Sequence, residues 1–195
     1  YKVACQTCHI PTYAKVNATK LRWDWSTAGK LKDGKPYEEE DGAGNHAYLS
    51  IKGSFTWGTN VVPEYAWFDG TASHYLLGET FDPSRPLVLN PLNGQYDVPE
   101  AKVAPVKVHR ARQIYDTKQR VLVQPKLFSA APGDGGYWGG FDWNAAAAAG
   151  MREVGLPYSG SYGFAETEMN WPVNHMVAPK EKAVSCDECH AREGG

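Results

Sequence analysis

Two short cysteine motifs stand near the two ends of this 195-residue chain. They read Cys5-Gln-Thr-Cys8-His9 and Cys186-Asp-Glu-Cys189-His190, and together they use all four cysteines. Each is C-x-x-C-H, the pattern by which haem c is attached. The two thiols form thioethers with the vinyl groups of one porphyrin, and the adjacent histidine is placed to bind the iron. The sequence therefore predicts two covalent haems, attached at Cys5, Cys8, Cys186 and Cys189 and ligated on the proximal side by His9 and His190.

Other uses of a C-x-x-C pair explain these motifs less well. Two such pairs can bind one structural zinc ion, but they are then usually about 15 to 20 residues apart, and here they occupy opposite ends of the chain. A redox-active pair, or a disulfide within each motif, leaves the following histidine without a role. A zinc-binding module remains an alternative, which a covalent haem stain after denaturing electrophoresis would decide.

The four remaining histidines are candidates for the distal axial position, because neutral imidazole is a strong ligand of haem iron. Two haems need at most two of them. His175 ranks first because it closely precedes the second motif, and His109 ranks second because it follows an alternating apolar run. His74 and His46 lie in loop-like surroundings and follow in that order. If all four are ligands, at least two serve haems bound to other polypeptide.

Methionine and calcium give two further ligand hypotheses. Met151, Met169 or Met176 could supply a thioether to iron, although methionine is more often a core residue. The acidic run Glu38-Glu-Glu-Asp41 could hold calcium through adjacent carboxylates. We interpret that run as a solvated loop, so no calcium is expected.

Composition excludes several classes of protein. The net charge of −2 argues against a general nucleic-acid binder. An apolar content of 42%, with seven tryptophans, is enough for a buried core. No apolar stretch approaches the length of a membrane span. The chain begins at Tyr1 without a signal-peptide pattern, so we expect a mature end, a subunit or a fragment boundary. Haem attachment of this kind takes place outside the cytoplasm, which predicts a periplasmic or extracellular location.

The strands and helices that must position these residues can be predicted from the sequence. Together they indicate an α+β fold with much irregular structure. Rough alternation of apolar residues predicts short strands, and an alanine-rich run predicts one helix with Asn144 as its cap and Gly155 as its stop. The glycine-rich stretch 134–140 lacks the spacing of a nucleotide-binding loop. The ranges are a polar loop at 31–46, strands at 48–57, 103–108 and 120–124, a short helix or turn at 111–118, the helix at 142–154 and an irregular tail from 156.

Positive charge is concentrated in the middle of the chain. Residues 101–130 hold seven lysines and arginines against one acidic residue, Asp116. A basic segment of this kind could pair with haem propionates, attract an anionic substrate or dock an acidic partner. A solvated strand face is an equally good interpretation.

Five stretches resemble the octahaem tetrathionate reductase family of multihaem c-type cytochromes. They are CQTCHIP at 5–11, ATKLRWDWSTAG at 18–29, VVPEYAWF at 61–68, YSGSYGFAET at 158–167 and WPVNHMVAPKE at 171–181. The resemblance covers nearly the whole chain, but only the C-terminal portion of such a protein. It implies a multihaem cytochrome c fold with its core organised around haems.

The resemblance also implies a periplasmic cytochrome whose relatives reduce tetrathionate and, in some cases, nitrite or hydroxylamine. In that scheme the two motifs correspond to the last two haem sites, and His109 and His175 are distal ligands. The surplus histidines His46 and His74 then serve upstream haems. The family's catalytic haem, with its lysine ligand, belongs to a region that this chain lacks, so we assign no catalytic residue here.

Residues 1–195 are therefore predicted to form a single di-haem c domain, a C-terminal segment or subunit of a larger multihaem cytochrome. Its function would be electron transfer, and it would not be an enzyme by itself. One alternative is a fragment that contributes directly to reduction of tetrathionate, nitrite or hydroxylamine, and another is a unit of a non-catalytic conduit. The expected partners are a redox protein and other multihaem cytochrome polypeptide, such as a missing N-terminal haem region whose haems could be shared. An oligomer could also form. Neither nucleic acid nor a membrane span is expected.

Overall fold

A computed structural model describes residues 1–190, apart from the side chain of Cys189. Within that range the chain forms nine strands, four α-helices and two 3₁₀ helices. The strands are β1 Thr19–Asp24, β2 Glu38–Glu40, β3 His46–Leu49, β4 Gly53–Gly58, β5 Glu64–Phe68, β6 Leu87–Val88, β7 Lys102–Asp116, β8 Val121–Leu122 and β9 Tyr162–Pro172. The helices are α1 Cys5–His9, α2 Tyr137–Gly140, α3 Trp143–Glu153 and α4 Cys186–His190, with 3₁₀ turns at Trp25–Thr27 and Lys180–Lys182.

The nine strands belong to one mixed sheet in the order β2-β3-β4-β1-β7-β9-β6. Strand β7 is its centre: it pairs antiparallel with β9 from Val106 to Asp116 and parallel with β1. Strands β5 and β8 pair with the two ends of β7. A mixed sheet with few helices and long irregular connections confirms the predicted fold class.

Strand β7 extends well beyond the predicted 103–108. A short helix or turn was expected at 111–118, but extended backbone continues to Asp116 and only the following residues turn. The strand continues because β9 pairs with it over its whole second half. That expectation was therefore wrong for residues 111–116.

Strand β9 is the largest departure from the sequence prediction. The tail after residue 156 was expected to be irregular, but residues 162–172 form an eleven-residue strand. Its glutamates conceal the strand pattern in the sequence, since they make the segment look like a polar loop. In the sheet, Glu166 and Glu168 lie opposite Arg112 and Arg110 of β7, which compensates their charge.

The other predicted elements differ in detail. The strand predicted at 48–57 is a hairpin of β3 and β4, and the loop predicted at 31–46 contains the edge strand β2. The strand predicted at 120–124 is only two residues long. The predicted helix is α3, but its N-cap is Asp142, whose carboxylate accepts a hydrogen bond from the Ala145 amide at 3.1 Å. Asn144, the predicted cap, instead accepts a hydrogen bond from the Tyr158 hydroxyl.

Two hydrophobic clusters fill the interior. In the larger one, α3 packs on β7, and the rings of Tyr137 and Trp143 stack with centroids 3.8 Å apart. The smaller cluster lies directly after α1 and contains Ile10, Tyr13, Ala14 and Val173. The first cysteine motif is thus followed directly by residues of this buried cluster. Within residues 1–190 no helix is long and apolar enough to cross a membrane.

Candidate functional site

The first cysteine motif forms the short helix α1. Cys5 and Cys8 are both free thiols, the first exposed and the second half-buried. Residues three apart lie on the same side of a helix, so the two thiols are presented to one face. That arrangement suits two thioether bonds to the same planar group.

Helix α1 is anchored to the start of β7. Residues 2–4 run beside β7, and the amide of Ala4 donates to the carbonyl of Val103 at 2.9 Å. The buried Thr7 hydroxyl donates to the same carbonyl at 2.7 Å. Ile10, directly after the motif, is completely buried. No side chain caps the N-terminus of α1, so tertiary contacts hold this helix in place.

The ring of His9 is oriented by the chain that leads to the second motif. Its Nδ1 lies 3.1 Å from the carbonyl oxygen of Ala178 and donates its proton to it. This bond fixes the tautomer and leaves Nε2 with a free lone pair, the arrangement common for a metal-bound histidine.

The second motif forms helix α4, which is stabilised locally. The amide of Ser185 donates to the carboxylate of Glu188 at 2.6 Å, and the Glu188 amide donates to the Ser185 hydroxyl at 3.4 Å. This reciprocal pair is a capping box. Cys186 and His190 are exposed. The side chain of Cys189 and residues 191–195 lie outside the described residues.

The fold brings the two motifs together although they are at opposite ends of the sequence. The amide of Ala178 donates to the carbonyl of His9 at 2.6 Å, and the amide of Val184 donates to the carbonyl of Cys8 at 2.8 Å. Val184 stands two residues before Cys186. The segment 178–184 therefore leads along the end of α1 directly into α4.

The donor set fits covalently attached haem c. Free thiols on one face of a helix and an adjacent imidazole with an available Nε2 are what this attachment needs. Among the described side chains, no three His, Cys, Asp or Glu residues converge on a common point as metal ligands. In the acidic run, the Asp41 carboxylate accepts hydrogen bonds from the Ala43 and Asn45 amides.

His109 lies half-buried in β7, and its Nδ1 is 3.2 Å from the carbonyl oxygen of Lys20 in β1. Burial lowers the pKa of His109, and the nearby Lys107 and Lys20 lower it further, against the Lys20 carbonyl, which raises it. The neutral imidazole is the form that binds iron. His109 therefore has both a fixed ring and the protonation state of a ligand.

His175 lies at the edge of an open groove of about 460 Å³. The groove is lined by residues that follow the first motif, including Tyr13 and Ala14, and by Lys107 and Trp171. His175 was singled out because it precedes the second motif in sequence; in space it borders the chain leaving the first one. Its ring is exposed.

The other two histidines lie elsewhere. His46 begins β3 with its Nδ1 3.8 Å from the Glu38 carboxylate, and its carbonyl accepts a hydrogen bond from the Trp57 indole. His74 is exposed in the long connection between β5 and β6.

The methionines occupy three different environments. Met151 is fully buried in the larger cluster, and its sulfur accepts a hydrogen bond from the Gln124 amide, so it is a core residue. Met169 is half-buried in β9 opposite His109, and Met176 is exposed beside His175.

Two arginines of the basic segment, Arg110 and Arg112, are paired with glutamates on adjacent strands. Arg110 holds Glu64 in a bidentate pair at 2.7 and 2.9 Å and also binds Glu168 at 3.1 Å. The bond to Glu64 is the main reason why the pKa of Arg110 is raised. Glu166 binds Arg22 at 2.8 Å and lies 3.9 Å from Arg112. These arginines stabilise the sheet and are not free to attract an anion.

Sequence reasoning missed Lys20, whose backbone carbonyl in β1 lies 3.2 Å from Nδ1 of His109. Lys20 is held over the rings of Trp23 and Phe55. No signal in the sequence places Lys20 beside His109, because only the pairing of β1 with β7 brings them together.

Comparisons with known proteins agree with this chemistry. The family model described as bacterial cytochrome c matches residues 20–193. A crystal structure described as octaheme cytochrome c from Shewanella oneidensis is 46% identical, with a TM-score of 0.89 over 100% of this chain. The chain spans 44% of the length of that protein. No curated protein matches. The resemblance to octahaem cytochromes predicted from the sequence is confirmed.

Proposed function

Since the chain belongs to the bacterial cytochrome c family, in which covalent haem c transfers electrons, we propose that it carries two haems and acts as the electron-relay part of an octahaem-type reductase. The observation that carries this proposal is the contact between the two motifs. The backbone bond from Val184 to Cys8 ties the segment that leads into the second attachment helix to the end of the first. Adjacent attachment sites favour short electron-transfer distances.

The chain's own residues hold and orient the cofactor. Cys5, Cys8, Cys186 and Cys189 would form the thioethers, and His9 and His190 would bind iron. The bound group supplies reversible one-electron oxidation and reduction of its iron. The carbonyl of Ala178 would keep the proton on Nδ1 of His9, so that Nε2 is the nitrogen left to bind iron.

We assign the distal positions to His109 and His175, and His74 and His46 follow as candidates. His109 is supported by its half-buried ring and its lowered pKa. His175 is supported by the groove that it borders beside the first motif. His46 and His74 are exposed and distant in sequence from both motifs, which suits ligands for haems of other polypeptide.

The expected partner is further haem-bearing polypeptide, because the matched octaheme cytochrome c is more than twice as long as this chain. Reduction of tetrathionate, nitrite or hydroxylamine would then be an activity of the assembly. Bacterial c-type cytochromes are typically periplasmic or extracellular, and we propose that location here. The chain would pass electrons between a redox partner protein and the rest of the assembly.

The test is haem counting in chains made in a bacterium that matures c-type cytochromes. Intact mass should show two haems on the unsubstituted chain. It should show one on the double variants Cys5→Ser/Cys8→Ser and Cys186→Ser/Cys189→Ser, with the haem stain retained after denaturation. A chain that carries zinc and no covalent haem would refute the proposal.

A further inference from the structure

A continuous line of seven aromatic rings crosses the protein from β4 to β9. It passes through β1, the 3₁₀ turn that follows β1 and the first residue of α3. The centroids of successive rings are 4.5 to 6.4 Å apart, so each ring packs against the next. We call this row of rings the aromatic line.

The first half of the aromatic line lies on β4 and β1. Phe55 and Trp57 are two residues apart in β4 and therefore share a face of the strand, with centroids 6.4 Å apart. The ring of Trp23 lies 5.3 Å from Phe55 and stacks on Trp25 at 4.5 Å. At the β4 end, the Trp57 indole donates to the carbonyl of His46 at 2.8 Å. The line thus begins beside a candidate haem ligand.

The second half of the aromatic line passes through the larger hydrophobic cluster. Trp25 meets the ring of Trp143 at 6.1 Å, and Trp143 lies 5.6 Å from Phe164. The last ring is Tyr162, 5.9 Å from Phe164 on the same strand. Trp143 is only 7% exposed, whereas Tyr162 is 37% exposed. The line therefore leads through the buried interior and ends at the surface.

Four tryptophans and one tyrosine give this line a chemistry that packing alone does not need. Indole and phenol are the aromatic side chains that lose one electron most easily, and electrons hop between such rings when the rings are in contact. The phenylalanine ring is much harder to oxidise. Phe55 and Phe164 therefore act as bridges, and the indoles and the phenol act as the hopping sites.

The surroundings of the two ends favour one direction. The ammonium of Lys20 lies 4.3 Å from the centroid of Trp23 and 5.1 Å from that of Trp57. A cation beside a ring disfavours the loss of an electron from that ring, so an oxidising equivalent moves on from the β4 end. Tyr137 also contacts the line, but its hydroxyl is buried, which raises the pKa of Tyr137. Because an oxidised phenol must release its proton, the exposed Tyr162 is the favoured end point.

We propose that the aromatic line carries oxidising equivalents from Trp57 to Tyr162 by electron hopping. One electron leaves Tyr162 and passes along the line to a one-electron oxidant at the β4 end, such as a radical derived from a peroxide. The phenol proton goes to water, so that a neutral tyrosyl radical remains at the surface. This path is separate from electron transfer between haems, and its operation requires no haem.

The experiment generates an oxidant at the β4 end of the holo-chain by light. A ruthenium tris-bipyridine complex is attached to Thr56→Cys, an exposed position next to Trp57; the native cysteines are occupied by thioethers. A cobalt(III) ammine takes the excited electron, and the resulting Ru(III) is the oxidant. Radicals are followed by transient absorption and electron paramagnetic resonance. The labelled chain is compared with Trp25→Phe, with Tyr162→Phe and with the control Trp67→Phe, whose ring packs on Tyr96 outside the line.

The labelled chain should form a tyrosyl radical after the flash. Tyr162→Phe should lose that signal and retain a tryptophan radical, because the end point is removed while the indoles remain. Trp25→Phe keeps an aromatic ring in place but interrupts the hopping sites, so it should also lose the tyrosyl signal. Trp67→Phe should leave the signal unchanged. Circular dichroism checks that each variant is folded, and Tyr162→Phe tests the path at an exposed position if Trp25→Phe does not fold.

Three results would overturn the proposal. They are absence of a tyrosyl radical in the labelled chain, an unchanged tyrosyl signal in Tyr162→Phe or folded Trp25→Phe, and an equal loss in Trp67→Phe. Failure of the proposed function is distinct, because intact mass would then show no haem. In that event the same comparison is made in the haem-free chain with its four motif cysteines replaced by serine, and the same three results decide the path.

Discussion

The two C-x-x-C-H helices share a motif but differ in what supports them. Helix α1 has no capping side chain and is anchored by Thr7 and Ala4 to Val103 of the central strand. Helix α4 begins with a capping box between Ser185 and Glu188, and Val184 links it to the first motif. The first attachment site is thus bonded directly to the central strand of the sheet. The second is linked to the sheet only by way of the first motif. We expect the sheet to fix one haem and the contact between motifs to fix the distance to the other.

Truncation of Ile10 should give the largest loss of stability among the substitutions that test how the first motif is anchored. Ile10 is fully buried directly after the first motif, and Ile10→Ala should lower the free energy of unfolding by about 2–5 kcal/mol. Urea denaturation measures the loss. Val177→Ala, an exposed control near the second motif, should change stability by less than about 0.5 kcal/mol. Equal losses would show that the first motif is no better anchored than the second.

Asp116 should make the sheet that carries the first motif sensitive to acid. It is fully buried at the end of β7. Burial raises its pKa, but hydrogen bonds from Gln119, Ser159 and Lys118 outweigh burial, so the folded pKa is lowered. The stabilisation is therefore complete above the unfolded pKa of about 3.9 and is lost as pH falls through the folded value.

The variant Asp116→Asn tests that acid sensitivity. At neutral pH it should be less stable than the unsubstituted chain by about 1.5–3 kcal/mol, the value of one hydrogen bond to a charged group. The difference should shrink as the pH of urea denaturation is lowered below the unfolded pKa. A difference independent of pH would mean that the charge of Asp116 is not what stabilises the turn.

Substitutions at the third residue of each motif should change stability least, but they distinguish most clearly how the two motifs are supported. Thr7→Val removes the bond to Val103 and should cost about 1 kcal/mol of global stability. Glu188→Ala, at the matching position of the second motif, removes the capping box; it should leave global stability unchanged and speed amide exchange in α4 alone. The reverse order, with Glu188 controlling global unfolding, would contradict the comparison.

Local patterns in the sequence are sufficient to predict α3. The alanine run with Gly155 predicts a helix and its end, where Gly155 has a φ of +72°. The C-x-x-C-H spacing predicts the haem attachment residues, and that assignment stays a prediction. Strand β9 could not be predicted, because Glu166 and Glu168 look polar until Arg112 and Arg110 are placed opposite them. The sequence predicts Asn144 as the cap, but Asp142 has an equally suitable side chain, and only the structure distinguishes them.

Long-range pairing accounts for the features that sequence analysis could not reach. The contact of Val184 with Cys8 joins residues from opposite ends of the chain. The basic segment carries an excess of positive charge in sequence, but Arg110 and Arg112 are paired with glutamates on neighbouring strands.

Electron paramagnetic resonance of the oxidised holo-chain tests most directly whether the two motifs hold adjacent haems. The spectrum of the unsubstituted chain is compared with the sum of spectra from the double variants Cys5→Ser/Cys8→Ser and Cys186→Ser/Cys189→Ser. Adjacent Fe(III) centres interact magnetically, so we predict a broadened spectrum that differs from that sum. A spectrum equal to the sum of the two single-haem variants would contradict the relay.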